Sequence, residues 1–157
     1  MNGEIENFQE VAAKGEELYK TFSVIHCPFF EGDVYFNASG LEHLKFKRPR
    51  YARPRHDQYM RFKLLHLVPE VLRLSRTVQG IWETKHFERV RMHSRTDTIL
   101  KQVTYYEFIA VLKNIRLKIV VKQINSGQRF FWSIIPFWGV NKETKRRKLH
   151  SGDLEED

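Results

Sequence analysis

Along Lys101–Trp138 apolar and polar residues alternate with a period of two, broken twice by residues that suit turns. The run reads KQVTYYEFIAVL, KN, IRLKIVVKQI, NSGQ and RFFWSIIPFW. β-branched and aromatic side chains dominate its long pieces. Lys113-Asn114 fits a two-residue turn, and Asn125-Ser126-Gly127 supplies the positive φ of a hairpin. The pattern predicts an antiparallel three-stranded meander. His86–His93 alternates in the same way, with Val90 and Met92 on one side and Arg89, Arg91 and His93 on the other, which adds a fourth strand. A turn at Lys113-Asn114 sets Tyr105 opposite Lys122 and Glu107 opposite Val120; a slip of one residue would bring Tyr106 and Phe108 there instead. A loop centred on Ser126-Gly127 sets Lys122 opposite Phe131 and Val120 opposite Ser133. Opposed residues share a face. One face then carries Arg116, Lys118, Val120, Lys122 and Ile124 with Arg129, Phe131, Ser133 and Ile135. The core face carries Ile115, Leu117, Ile119 and Val121 with Phe130, Trp132 and Ile134.

The N-terminal half has helical spacing instead. Ile5, Phe8, Ala12, Leu18, Tyr19 and Phe22 predict an amphipathic helix over 4–22, weakened at Gly15 by about 1 kcal/mol. Asp33–Asn37 reads as a short strand, and Ile25–Phe30 as a breaker region. Ser39-Gly40-Leu41-Glu42 fits a capping box, which places His43 in the first turns of a helix from Gly40 to Phe46. There the helix dipole would favour a neutral imidazole. Residues 57–75 predict the main core helix, with Asp57 as N-cap and a kink or restart at Pro69. The fold class expected is α+β, with N-terminal helices packed on one face of a four-stranded antiparallel meander over about 85–138. Residues 1–141 form one domain in this reading, and 142–157 a mobile tail, basic and then acidic.

Charge sharpens the picture. The chain carries a formal net charge of +8 over 157 residues. Residues 1–32 hold 2 basic and 6 acidic residues, whereas residues 33–152 hold 25 basic and 9 acidic. Such a concentration of cations among Tyr, Phe and Trp points to a polyanion, most often nucleic acid. The densest stretch contains Arg48, Arg50, Arg53, Arg55 and Arg61, with Tyr51 among them, a mixture of cations and a stacking ring suited to RNA or single strands. Lys118 and Arg129 extend that surface onto the sheet. A single cysteine, Cys27, beside His26 does not make a zinc site, which wants four ligands at defined spacings. With one cysteine, no signal peptide and no long apolar run, the cytoplasm is the expected compartment and no membrane partner is expected. No phosphate-binding, dinucleotide, serine-hydrolase, zinc-protease or EF-hand motif is present, and no cofactor is expected.

Val34-Tyr35-Phe36-Asn37-Ala38-Ser39-Gly40-Leu41-Glu42-His43, with the later Ile119-Val120-Val121-Lys122-Gln123 and Phe131-Trp132-Ser133-Ile134-Ile135-Pro136, resembles the barnase–EndoU–colicin–RelE nucleases, and especially their phage and toxin branches. The likeness spans about residues 33–138. It implies metal-independent RNA cleavage by attack of the ribose 2′-hydroxyl on its own phosphate, in an enzyme of toxin type held by an acidic antitoxin or inhibitor protein. That reaction needs a base, an acid and cations where charge gathers. The residues offer His43 and Glu107 for proton transfer, Lys122 and Arg89 for the phosphate, and Ser133 as a hydrogen-bond donor. A cross-strand ion pair explains Glu107 equally well. A non-catalytic nucleic-acid-binding protein using the same basic face and arginine-rich loop is the alternative.

Overall fold

The computed structural model describes residues 7–136 and 153–157. The fold is α+β: among the described residues, four α-helices pack against a six-stranded mixed sheet. Helix α1 covers Phe8–Phe22, α2 Ala38–Lys45, α3 Arg55–Leu64 and α4 Val68–Leu74. The sheet strands are β1 (Val24–Cys27), β2 (Gly32–Tyr35), β5 (Gly80–Met92), β6 (Arg95–Leu112), β7 (Ile115–Ile124) and β8 (Arg129–Pro136). A separate small hairpin joins β3 (Phe46–Arg48) to β4 (Tyr51–Ala52).

The sheet order is β1-β2-β8-β7-β6-β5. The expected meander is present as β5 to β8, all antiparallel, but it is not the whole sheet. The supposed breaker region contributes β1, and the β1–β2 hairpin joins the meander with β2 parallel to β8. Strands β5 and β6 are also longer than expected. Their turn is His93-Ser94, so the polar residues from Arg95 onward belong to β6. Both two-residue turns hold both residues at positive φ, the geometry whose twist suits a hairpin.

The turn at Lys113-Asn114 fixes Tyr105 opposite Lys122 and Glu107 opposite Val120, as the sequence predicts. The next hairpin departs from prediction. Val120 faces Ser133, but Val121 faces Phe131, so β8 has one extra residue, Trp132. A bulge of this kind leaves the extra residue unpaired and flips the alternation beyond it. Phe131 therefore joins the helix-side core, while Phe130 and Trp132 join Val103, Tyr105, Val120 and Ile135 on the opposite face. Arg129 goes with Phe131: its guanidinium lies 4.5 Å from the Phe30 ring, away from the Lys122 face to which the regular alternation assigned it.

The helix-side core joins Tyr19, Leu44, Phe62, Leu65, Val68 and Leu72 to Phe108, Leu117, Ile119, Phe131 and Ile134. Two glycines allow the close approaches. A side chain on Gly15 would meet Phe62, and one on Gly40 would meet the Phe131 carbonyl and the Tyr19 hydroxyl. Gly15 thus costs α1 helix propensity and permits its packing against α3. Helix α2 begins two residues earlier than the capping box suggested. Asn37 is its cap, accepting a 3.0 Å hydrogen bond from the Gly40 amide. Helix α3 starts at Arg55 after Pro54, without a side-chain cap, and the chain restarts as α4 with Pro69 in its first turn.

The other face has its own smaller core, and a distant segment completes it. Leu154 is 8% exposed and packs with Val103, Tyr105, Val120, Phe130, Trp132 and Ile135. Asp157 is also buried. This corrects the expectation of a mobile tail over 142–157 for the part that is described. Residues 142–152 lie outside the described residues, as does the end of the predicted meander at 137–138.

Candidate active site

Strand β2 pairs with β8 at one position only, Tyr35 opposite Phe130, and α2 and α3 pack against β8. Along this side His43, Arg53, Arg61, Lys122, Trp132 and Ser133 converge on residues 154–157. His43 comes from α2, Arg53 from just after β4, and Arg61 from α3. The bulge brings Trp132 onto the same side as Lys122 and Ser133.

The contacts form one continuous network. The His43 ring stacks on Trp132 with centroids 3.9 Å apart. The Lys122 ammonium lies 3.9 Å from the centroid of the Trp132 ring. Arg53 donates to the His43 carbonyl at 2.9 Å and to the main-chain oxygens of Glu156 and Asp157 at 2.8 and 3.1 Å. Arg61 donates to the Asp57 carboxylate at 2.6 Å, to Ser133 Oγ at 2.7 Å and to the Asp157 main-chain oxygen at 2.6 Å. Ser133 Oγ donates to that same oxygen at 2.7 Å, and Trp132 Nε1 donates to the Leu154 carbonyl at 3.0 Å. Lys122 Nζ donates to both carboxylate oxygens of Glu155, at 2.8 and 3.0 Å, and the Tyr105 hydroxyl donates to the same carboxylate.

His43 sits in the last turn of α2, not the first. A helix C-terminus favours the charged imidazolium by about 0.3–1 kcal/mol. Burial, reinforced by Arg53, Arg61 and Lys122, overwhelms that and lowers its pKa to about 2. Arginine has no acceptor, so at the 2.9 Å contact with Arg53 the His43 Nε2 must accept, and the ring proton resides on Nδ1. His43 is neutral, as expected, but for a different reason. It supports Trp132, and its Nε2 is already engaged.

The other predicted residues divide clearly. Lys122 and Ser133 are in the network. Glu107 is not: its carboxylate binds Lys118 at 3.1 Å and Trp82 Nε1 at 3.2 Å. Gly80 leaves the room it occupies. Arg89 is exposed, opposite Thr98 and on the sheet face away from Tyr105. It lies seven residues along β6 from Tyr105, about 23 Å at the usual strand rise. Arg53 and Arg61, assigned by sequence to a nucleic-acid surface, are 3% and 4% exposed and engaged internally. Arg48, Arg50, Tyr51 and Arg55 are exposed; the Arg48 guanidinium lies 3.8 Å from the Tyr51 ring centroid and also bonds Glu156 at 3.1 Å. Lys118 is buried against Glu107.

Two cavities flank the Lys122–Glu155 pair, and both residues line both of them. One, of about 450 Å³, is bounded by Trp82, Thr84, Lys101, Tyr105 and Leu154. The other, of about 280 Å³, is bounded by His43, Arg48, Pro49, Phe130 and Trp132. Burial lowers the Lys122 pKa to about 8, with Lys101 adding to the effect. Burial raises that of Glu155 to about 7, aided by Glu156 and opposed by Lys101. Sequence reasoning missed Glu155 and Trp132 because one sits in an acidic run and the other beside an unmarked bulge. Among the described residues no three His, Cys, Asp or Glu side chains group as a metal site, and no helix is long and apolar enough to cross a membrane. No protein-family model, curated protein or solved structure matches the chain.

Proposed function

We propose that this protein is an endoribonuclease of toxin type that cleaves RNA, without a metal ion, by attack of the 2′-hydroxyl on the adjacent phosphate. The observation that carries this reading is the placement of Lys122 between two open cavities, backed by the aromatic plane of Trp132. A single strand crossing that ridge would set a phosphate at the Lys122 ammonium and one nucleoside in each cavity. The exposed ring of Trp82 offers stacking surface at the larger cavity. Lys101 and Arg48 add positive charge at the two ends. Lys122 would stabilise charge gathering on the phosphorane, where a preorganised cation is worth most. Ser133, His43, Arg53 and Arg61 would hold Trp132 and the 154–157 segment in place behind it. An acidic antitoxin or inhibitor protein would suit the same cationic surface.

The test is incubation of the purified protein with end-labelled RNA in EDTA. Products ending in a 2′,3′-cyclic phosphate, and full resistance of an all-2′-deoxy strand, support the reading. The exposed Arg48–Tyr51 stack favours a second reading, a non-catalytic nucleic-acid-binding protein. Salt-sensitive binding with no cleavage would select it.

A further inference from the structure

The endoribonuclease reading leaves open which groups move protons, since Glu107 is turned to Lys118 and the His43 Nε2 is held by Arg53. Building on that reading, we propose that Glu155 accepts the proton of the 2′-hydroxyl and that Lys122 donates a proton to the departing 5′-oxygen. The geometry is that of a matched pair. The Glu155 carboxylate and the Lys122 ammonium are in direct contact on the ridge shared by the two cavities, so one strand placed there meets both.

The step balances within the pair. The 2′-O–H proton passes to the Glu155 carboxylate as the 2′-oxygen bonds to phosphorus. The P–O5′ bond breaks, and its electron pair takes a proton from the Lys122 ammonium. The products are a 2′,3′-cyclic phosphate and a 5′-hydroxyl, with neutral Glu155 beside neutral Lys122. Their existing hydrogen bond then carries the proton from carboxylic acid to amine and restores the starting state. No water and no external acid is consumed.

The rest of the site suits this role better than that of a detachable plug. Leu154 anchors the segment in the smaller core, and main-chain oxygens of residues 154, 156 and 157 accept from Trp132, Arg53, Arg61 and Ser133. Displacing it would strip buried arginines of acceptors. The Glu155 side chain itself remains half exposed, while the Lys122 ammonium beneath it is buried and is approached through the two cavities it lines. The Tyr105 hydroxyl from β6 and the Asp153 carboxylate, which accepts from the Glu155 amide at 3.0 Å, fix its orientation. The charged and titratable groups facing it are Lys122 from β7, Tyr105, Lys101 and His86 across the larger cavity, Glu42, His43, Lys47 and Arg48 across the smaller one, and Asp153 and Glu156 on its own segment.

The experiment compares wild type and Glu155→Gln, full length, on a labelled RNA and on its 2′-O-methyl analogue, which binds but cannot react. The proposal expects turnover to fall by about 10²–10⁴-fold while analogue affinity changes little. On an RNA with a 5′-bridging sulfur, a leaving group that needs no proton, Glu155→Gln stays slow, whereas Lys122→Gln recovers part of its lost rate. The wild-type enzyme supplies a measurement that no folding defect can confound. Its kcat/KM should rise through a group near pH 7 and fall through one near pH 8, and the rising limb should persist in His86→Gln. Faster cleavage or tighter analogue binding by Glu155→Gln would overturn the proposal in favour of a plug. Unchanged cleavage with an unchanged rising limb would overturn it and leave the ribonuclease reading standing. A wild type that cleaves no RNA would overturn both.

Discussion

Shortening Leu154 to alanine tests whether residues 153–157 are part of the folded domain. The leucine is 8% exposed and sits among six other apolar side chains of the smaller core. Removing most of a buried leucine costs about 2–5 kcal/mol where the cavity cannot collapse. Here the lower end is expected, about 2 kcal/mol, because a short segment at the protein edge can settle inward more readily than a strand. A second consequence sets an upper bound. If the loss exceeds what holds the segment down, the segment releases, and Arg53 and Arg61 lose their Glu156 and Asp157 acceptors. They would retain Asp57. Urea unfolding followed by circular dichroism measures the difference, and phosphate-free buffer avoids an anion that replaces the lost acceptors. A fall in the midpoint with an unchanged slope means a weakened but docked segment; a shallower slope means that surface is already exposed in the native state. A destabilisation below about 0.5 kcal/mol, the scale of an ordinary surface substitution, would refute the packing argument.

Three further outcomes follow from the same geometry. His43 stays neutral in the folded protein down to about pH 2 but takes a proton near pH 6.5 when unfolded, so the unfolded state binds more protons between those values. Stability should therefore fall with pH below 6.5, by about 1.4 kcal/mol per unit from this group. Glu155, raised to about 7, works in the opposite sense between about 4.5 and 7, and its half-exposed carboxylate contributes less. His43→Gln should flatten the profile below pH 6.5, and an unchanged pH dependence in denaturant titrations would contradict the buried environment. Replacing exposed Arg48, Arg50 and Arg55 with serine should weaken binding to single-stranded RNA and flatten its log–log salt dependence by about 0.7 per lost phosphate contact, read by fluorescence anisotropy. Gly40→Ala should destabilise the fold by more than 1 kcal/mol despite alanine's better helix propensity, because its side chain would strike the Phe131 carbonyl and Tyr19; a more stable protein in thermal melts would count against that close approach.

Local patterns in the sequence were sufficient wherever a local rule controls the structure. The meander is an example: two-residue turns leave little freedom, and Lys113-Asn114 alone sets the register that places Tyr105 beside Lys122. The restart at Pro69 is another, since its missing amide is harmless only in a helix's first turn. What sequence pattern missed depends on contacts between distant segments. Strand β1 carries Pro28 just after its last residue and looks like a breaker, yet its partner β2 and the helix-side core make it a strand. Trp132 has no neighbouring glycine or proline to announce a bulge, and that single extra residue exchanges the faces of Phe130, Phe131 and Arg129.

The largest reversal concerns charge. In the sequence, Arg53 and Arg61 belong to a basic run and Asp153–Asp157 to an acidic one, so each reads as a solvated surface. The structure puts them against each other, where the arginines find carboxylate and main-chain acceptors that water would otherwise supply. Asp57 supplies the opposite charge that both arginines need when buried, since an unpaired buried charge costs several kcal/mol, and the main-chain oxygens of Glu156 and Asp157 accept their remaining hydrogens. Their pairing removes two arginines from any RNA surface and seats Glu155 on Lys122. Of the exposed cations outside this pairing, Lys47 and Arg48 line the smaller cavity, Arg50 sits in the turn of the β3–β4 hairpin and Arg55 opens α3. Lys85, Arg89, Arg91 and Arg95 lie along β5 and the start of β6; Lys101 lines the larger cavity. A polyanion held by the cations around the cavities would meet, at the ridge, one ammonium and one carboxylate. On the ribonuclease reading proposed above, that division separates affinity from chemistry: rim substitutions should change the salt dependence of binding, and ridge substitutions the pH dependence of turnover.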